Sequence, residues 1–341
     1  MTDFHLLITD WYRQNKRDLP WRKTQNPYFI WLSEIILQQT RVDQGMNYYL
    51  KFTKNYPTIE KLAHASEQEI LNDWQGLGYY SRARNLHFTA KYVYHELNGE
   101  FPTSFNELKK LKGVGPYTAA AIASIAYNEP VAVVDGNVYR VLARIFNIDL
   151  PVDSSEGIKA FQELANELLP PSNASEFNQA MMEFGALQCT PVNPQCTNCP
   201  FEDSCLSSKS SLILERPIKS KKTKVRKRFF YYSIFQENDM IVIQKRVQKD
   251  IWQHLYEFPL HETENQLSEK ELLRLFGLQE SSLTKISKEF KHILSHQHIY
   301  ARFIHFNQIP KTHSKAMIHK KELTDFPLPR LIDRYLETEN F

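Results

Sequence analysis

Cys189-Thr-Pro-Val-Asn-Pro-Gln-Cys196-Thr-Asn-Cys199-Pro-Phe-Glu-Asp-Ser-Cys205 holds all four cysteines of a 341-residue chain. Thiolates ligate soft metals, and four of them this close in sequence can wrap one centre. A zinc ribbon sets two Cys-x2-Cys hooks far apart. Here one hook, Cys196–Cys199, has a wider loop on each side. That uneven spacing suits a cubane 4Fe-4S cluster better than a single tetrahedral ion, with zinc as the rival. Two disulfides or scattered free thiols would leave the clustering unexplained. In either metal reading the loop is a structural clamp, because it leaves no obvious open coordination position.

Working outward, the length allows two domains with their own cores. Hydrophobic residues make up 42% and charged residues 24%, ordinary for a soluble protein. No apolar run could span a membrane, and Met1-Thr-Asp-Phe-His lacks a basic and apolar signal pattern. A reducing cytoplasm is expected, which also suits metal-bound thiolates. The net charge of +3 does not by itself indicate nucleic acid.

In the N-terminal half, Leu6 to Arg13 reads as an amphipathic helix. Pro27 is placed to open another, from Tyr28 to about Arg41. Ile30, Trp31, Ile35 and Leu37 form its apolar stripe, and Glu34 shares that face. Periodicity alone favours a Glu at the stripe's edge reaching water; the sharper reading is a desolvated acid with a raised pKa. Gln38-Gln39-Thr40 closes the helix with hydrogen-bonding side chains. Trp74-Gln-Gly-Leu-Gly-Tyr-Tyr-Ser-Arg-Ala-Arg84 combines rings and guanidinium groups suited to stacking and phosphate contact. Leu111-Lys-Gly-Val-Gly-Pro-Tyr-Thr-Ala119 allows a tight hairpin at Gly113, Val114 and Gly115, then an Ala-rich helix whose first amides attract a phosphate. Val131-Ala-Val-Val-Asp135 reads as a strand-like run ending at a helix, with Asp135 as its N-cap and Asn137 beside it.

Taken together, Leu19-Pro-Trp-Arg22, Glu34-Ile-Ile-Leu-Gln-Gln-Thr40, Gly76-Leu-Gly-Tyr-Tyr80, the glycine hairpin, Val134-Asp-Gly-Asn137 and the cysteine loop resemble the MutY-type adenine DNA glycosylases of the endonuclease III superfamily. The resemblance is close to about residue 206. It implies a multidomain protein whose first domain, 1–206, is a mainly helical helix–hairpin–helix glycosylase. A six-helix subdomain would cover about 28–133, and residues 1–27 with 134–206 would form the iron–sulfur subdomain. The resemblance implies Glu34 and Asp135 facing each other across a pocket for an extruded adenine, with Tyr117 and Asn137 as further catalytic residues. Trp21, Arg22, Leu37 and Gln179 would line the adenine pocket. Gln39, Thr40, Tyr79, Gly113, Val114 and Gly115 would contact DNA, Gln39 and Tyr79 as wedges. Cys189, Cys196, Cys199 and Cys205 would hold a 4Fe-4S cluster. Endonuclease III-like enzymes carry a Schiff-base lysine at the end of the hairpin. Here that position is Tyr117, so strand-cleaving lyase activity is not expected. Lys112 stands where a proline is more usual.

Residues 207–228 read as a linker. It is small and polar at Ser207-Ser-Lys-Ser-Ser211 and basic at Lys219, Lys221, Lys222, Lys224, Arg226, Lys227 and Arg228, either solvated or touching phosphate. From 229 to 341 the pattern is α+β. Phe229 to Phe235 and Met240 to Arg246 read as a hairpin, His298 to Phe306 as a strand, and Ser268 to Phe276 and Arg330 to Leu336 as helices. This region resembles, more loosely, the MutT/Nudix-like C-terminal domain of MutY. The Glu-rich metal-binding helix of active Nudix hydrolases is absent, so no pyrophosphatase activity is expected. Leu294-Ser295-His296 stands in place of the family's Phe-Ser-His loop for 8-oxoguanine, with Leu294 replacing the aromatic ring.

The resemblance implies a monomeric, nucleoid-associated repair enzyme. Its partner would be duplex DNA holding 8-oxoguanine·adenine or guanine·adenine mispairs, and its reaction hydrolysis of the adenine N-glycosidic bond. A lyase of the endonuclease III type, an iron–sulfur electron carrier and a non-catalytic DNA-binding scaffold are the rival readings. The carrier would need a second cluster motif or a flavin or nicotinamide fingerprint, which the sequence lacks.

Overall fold

The computed structural model describes residues 3–220, 225–276, 283–307 and 317–339. It forms two compact units, Met1–His64 with Asn85–Lys221, and Ala65–Arg84 with Lys222–Phe341.

The first unit is helical. Helices α1 (Phe4–Asn15), α2 (Pro27–Leu37), α3 (Val42–Asn55) and α4 (Ile59–His64) come first. Helix α5 (Glu67–Asp73) belongs to the second unit, and α6 (Ser81–Glu96) starts there and continues into the first. Then follow α7 (Phe105–Leu108), α8 (Pro116–Tyr127), α9 (Gly136–Ile145), α10 (Ser155–Leu168), α11 (Ala174–Leu187) and the short α12 (Leu206–Lys209).

At the centre is α8, where every residue from Thr118 to Ile125 is buried. A helix apolar all round must be enclosed. Its small alanines let α2, α7 and α11 all pack against it. Helix α2 is shorter than its sequence suggests. It ends at Leu37, because Gln39 takes a left-handed conformation (φ 56°) that breaks the ladder before α3 begins.

The run 131–135 is extended but pairs with no strand among the described residues. Side-chain amides satisfy its backbone instead. Asn178 accepts from Val133 N at 3.0 Å and donates to the Val131 carbonyl at 2.8 Å, while Asn166 accepts from Ala132 N at 3.1 Å. Residues after the cysteine loop also pack on this unit. Ser207 is fully buried, and Val152 N donates to the Ile218 carbonyl at 3.0 Å.

The second unit is built on a mixed sheet. Strand β1 (Arg226–Glu237) turns tightly into β2 (Met240–Val242) through Asn238 and Asp239. Short β3 (Gln244–Lys245) and β4 (Tyr256–Glu257) pair with each other, and β5 (Leu260–Thr263) runs antiparallel to β1. After helix α13 (Glu269–Phe276) come β6 (Leu283–Ile286), β7 (Phe290–Ile293), β8 (Gln297–Phe306) and β9 (Met317–His319), then helix α14 (Arg330–Glu339). The axis is the parallel pair β1/β8, in register from Arg226↔Gln297 to Phe235↔Phe306.

Strand β1 is buried almost continuously because both faces of the sheet are covered. Tyr231, Phe235, Ile304 and Phe306 pack with Leu272 of α13. On the other side Phe303 stacks on Tyr335 of α14 with ring centroids 3.7 Å apart.

Of the basic run, Lys221, Lys222 and Lys224 lie outside the described residues. Arg228 is neither solvated nor open to a phosphate. It is buried in β1, with Asp250 and Glu262 each 2.6 Å from its Nη2.

Candidate active site

Glu34 stands on the buried face of α2 and is only 2% exposed, so it does not reach water from the edge of the stripe. Tyr117, in the first turn of α8, donates from its hydroxyl to Glu34 Oε2 at 2.6 Å, with Met182 Sδ 3.6 Å from the same hydroxyl. Glu34 Oε1 has no hydrogen-bond partner among the described residues, and Arg22 Nη1 is its nearest ionic neighbour at 3.9 Å. Burial raises the Glu34 pKa; the Arg22 charge and the Tyr117 hydrogen bond hold it down, and the charge of Asp135 pushes it up again. Burial, together with the Glu34 and Asp135 charges, drives the Tyr117 hydroxyl well above its ordinary value. Tyr117 is therefore a neutral donor at any physiological pH.

Asp135 caps α9. Its Oδ1 accepts from Asn137 N at 2.9 Å and Val138 N at 2.8 Å, and its Oδ2 accepts from Asn137 Nδ2 at 2.8 Å. Burial pushes its pKa up, while those three hydrogen bonds and Arg140 oppose the shift. The two carboxyls are thus unlike. Every contact of Asp135 favours an anion at a helix N-terminus. Glu34 has one donor and one bare buried oxygen, a setting that favours the protonated form. Helix α11 approaches this turn through Gly185, where an added Cβ would lie 2.6 Å from the Asn137 Cβ.

Of the expected pocket residues, Arg22 and Gln179 both line a cavity of about 480 Å³, together with Tyr12, Lys16, Asn128 and Glu176. Tyr12 donates to Gln179 Oε1 at 3.3 Å. Trp21 and Leu37 do not line that cavity. The Trp21 ring is buried edge-on against Tyr49, 5.1 Å between centroids, with an indole N–H that has no partner among the described residues. Leu37 is half-buried against α3 at Gly45.

The hairpin before α8 places Gly113 at φ 81°, where a side chain would also meet Asn85. Val114 is buried, and Gly115 caps α8 without a side-chain acceptor, so amides of the first turn are left without a cap. The Lys112 carbonyl accepts from Thr89 at 2.7 Å, and its ammonium sits 4.1 Å from the Phe88 ring centroid. Gln39 is exposed, and Thr40 bonds back to the Gln38 carbonyl. In the second unit, Tyr79 is 47% exposed at φ 46°, its hydroxyl 3.4 Å from Ser295 Oγ. Ser295 and His296 are exposed on the β7–β8 turn, which Leu294 N closes by donating to the Gln297 carbonyl at 2.8 Å.

Cys189, Cys196, Cys199 and Cys205 are free thiols lining one common cavity. Burial pushes the Cys189 and Cys196 thiols up and the Cys199 thiol up to about 11. Among the described residues no group of three or more His, Cys, Asp or Glu is placed to hold a single metal ion. Two arginines of α9 escaped the sequence reading. Arg144 donates to the Thr190 carbonyl at 2.7 Å and to Cys189 Sγ at 3.5 Å. Arg140 donates to the Cys189 carbonyl at 2.7 Å and to Asn137 Oδ1 at 2.9 Å, joining the cysteine loop to the Asp135 cap. Their four-residue spacing in Val138-Tyr-Arg-Val-Leu-Ala-Arg144 puts both on one helix face, the only signal available beforehand.

No helix among the described residues is long and apolar enough to cross a membrane. Residues 32–170 match the HhH-GPD superfamily of base excision DNA repair proteins, and residues 230–338 match the NUDIX domain. The adenine DNA glycosylase of Buchnera aphidicola subsp. Baizongia pistaciae is 38% identical over 304 residues, 87% of this chain and 84% of that protein. The Homo sapiens adenine DNA glycosylase is 44% identical over 214 residues, 60% of this chain and 39% of that protein. Among solved structures, a thermostable thymine-DNA glycosylase aligns with TM-score 0.57 at 31% identity, covering 61% of this chain and 96% of its own. Endonuclease III in a non-covalent DNA complex shares the fold, with TM-score 0.53 at 24% identity over 61% of this chain and 94% of its own. This chain is a DNA glycosylase of base excision repair and belongs to the adenine DNA glycosylase family.

Proposed function

We propose that the chain binds duplex DNA and removes adenine paired with 8-oxoguanine or guanine. The observation that carries the chemistry is the bare, buried Oε1 of Glu34 beside a fully hydrogen-bonded Asp135. The adenine is flipped into the cleft by Arg22 and Gln179. Protonated Glu34 gives its proton to adenine N7. The C1′–N9 bond breaks with its electron pair leaving on the purine. Ionised Asp135 stabilises the positive deoxyribose, directly or through a transient ester. Glu34, now a carboxylate, takes a proton from the water that attacks C1′. Tyr117 and Asn137 hold the two carboxyls in place.

Tyr117 cannot form a Schiff base, so the enzyme is a glycosylase without coupled strand cleavage. The uncapped amides at Gly115 and the hairpin grip a phosphate, and Gln39 and Tyr79 wedge the duplex, each poised in a left-handed conformation on an exposed turn. Leu294, Ser295 and His296 read the base opposite the adenine. The division into 1–206, 207–228 and 229–341 is the proposed functional one.

Cys189, Cys196, Cys199 and Cys205 fit a 4Fe-4S cluster: the four free cysteines line one cavity, with Arg144 beside Cys189 Sγ to balance its charge. Once bound, the cluster supplies a cross-link that fixes the loop.

Single-turnover excision from a duplex with one 8-oxoguanine·adenine pair tests the reading. Cleavage at adenine only after alkali is expected. Cleavage without alkali would mean a lyase, and no base release from DNA-bound protein would mean a scaffold. Ser295→Ala with His296→Ala should lower the preference for the oxidised partner; an unchanged preference would remove those residues from the role.

A further inference from the structure

The segment Ala65–Arg84 packs with the second unit although its sequence interrupts the first. Tyr80 and Arg84 help to hold it there, through the Leu328 carbonyl and Gln253, and three further side chains form a stripe. Gln68 Nε2 and Asn72 Nδ2 both donate to the Asp325 carbonyl at 2.8 Å, and Gln75 Nε2 donates to Asp333 Oδ1 at 2.8 Å. Positions 68, 72 and 75 fall on one face of α5 and its last turn. Burial pushes the Asp333 carboxyl up to about 6, so at neutral pH Gln75 bonds a charged acceptor. At the N-terminal end, His254 Nδ1 lies 2.7 Å from Glu67 Oε1.

The turn that follows carries Tyr79. Gly76 and Gly78 take positive φ without strain, but Tyr79 at φ 46° is a bulky residue in a left-handed conformation. Arg82 braces it. Its Nη2 donates to the Leu77 and Gly78 carbonyls, each at 3.2 Å, and its guanidinium lies 5.1 Å from the Trp74 ring and 5.7 Å from the Tyr79 ring. The exposed Tyr79 hydroxyl ends 3.4 Å from Ser295 Oγ, within the same compact unit.

We propose that Gln68, Asn72 and Gln75 are positioning residues for partner-base selectivity, setting Tyr79 against Ser295 by tying α5 to residues 325–333. This rests on the reading of Leu294, Ser295 and His296 given above. A merely structural tether would change stability and leave selectivity alone.

The test compares single-turnover excision by the full chain from 8-oxoguanine·adenine and guanine·adenine duplexes. Gln75→Leu and Asp333→Leu cut the same bond from opposite sides. Each should lower the ratio of the two rate constants by about fivefold, with the guanine·adenine rate kept within about twofold. Asp333→Asn, which keeps an acceptor for Gln75, should retain the parent ratio. An unchanged ratio in a folded Gln75→Leu or Asp333→Leu protein overturns the inference, as does an equal loss in Asp333→Asn; if one leucine variant fails to fold, the other decides. A parent enzyme with no preference between the duplexes would sink the loop reading itself, whereas a preference indifferent to Gln75 sinks only the tether.

Discussion

Tyr117 reaches Glu34 Oε2 with a 2.6 Å hydrogen bond and leaves Oε1 of the same carboxyl without one among the described residues. In the proposed mechanism the acid is thereby oriented by one oxygen and acts through the other. Its bare oxygen is an expense the fold bears for chemistry, and this makes activity and stability respond in opposite directions to the same substitution.

Glu34→Gln should lower adenine excision by about 10²–10⁴-fold, the usual worth of a positioned general acid, while mispair binding is retained. The variant should also be the more stable protein at pH 7.5. Burial raises the Glu34 pKa in the folded chain, so as pH rises the unfolded chain loses this proton first. Stability therefore falls as pH climbs from the ordinary Glu value of about 4.3 through the folded value, and Gln, with no proton to lose, escapes that fall. A melting temperature higher by about 2–4 °C corresponds to about 1 kcal/mol in a unit of this size. An equal melting temperature for the two proteins from pH 5 to 8 would show that the carboxyl is not held protonated.

Tyr117→Phe should slow excision by about tenfold and move the alkaline limb of its pH profile upward. The tyrosine bond is one of the forces holding the Glu34 pKa down, so its removal lets burial push further. The acid then stays protonated to higher pH. A profile that keeps its alkaline limb while the rate falls would mean that Tyr117 acts on the sugar rather than on Glu34.

Asn137→Ala removes the side-chain donor to Asp135 Oδ2 and leaves both backbone donors to Oδ1. The carboxylate loses one of the forces opposing burial, so the acid limb should move to higher pH, with a loss of about tenfold at the optimum. The two limbs thus report the two carboxyls separately, and a shift of the alkaline limb instead would reverse the assignment.

The local geometry of this chain was more legible than its packing. The four cysteines lining one cavity, the glycine hairpin and the Asp135 cap each follow from a few neighbouring residues, and local geometry of that kind survives in a sequence. Glu34 is different. Periodicity put it on the apolar face, but whether a carboxylate there is covered depends on α8 and Tyr117, which lie more than eighty residues away. The run 131–135 has the composition of a strand, yet its hydrogen bonds go to Asn166 and Asn178, whose roles no nearby pattern announces. Arg228 ended a basic run that read as either solvated or touching phosphate, and became a buried partner of Asp250 and Glu262 because it lies inside β1. Helix α5 could not be assigned to the second unit from sequence, since its ties are side-chain bonds to residues about 190 to 260 positions on.

On the proposed cluster assignment, loss of a cysteine ligand should be felt at Asp135 as well as in the loop. Arg140 holds the Cys189 carbonyl with Nε and Asn137 Oδ1 with Nη2, and Asn137 in turn donates to Asp135. Arg144 holds the Thr190 and Pro191 carbonyls of the same loop. With Cys199→Ser, iron content should fall, and amide exchange should rise first across 189–205 and then at the start of α9. If the loop merely capped the protein, exchange would rise at 189–205 alone and excision per folded molecule would be unchanged. The connected arginines predict instead an acid limb moved to higher pH, the same direction as in Asn137→Ala, because a loosened Arg140 no longer fixes the amide that bonds Asp135. Arg140→Met, with all four cysteines intact, should reproduce that shift at full iron content, which separates the positioning effect from the loss of the metal.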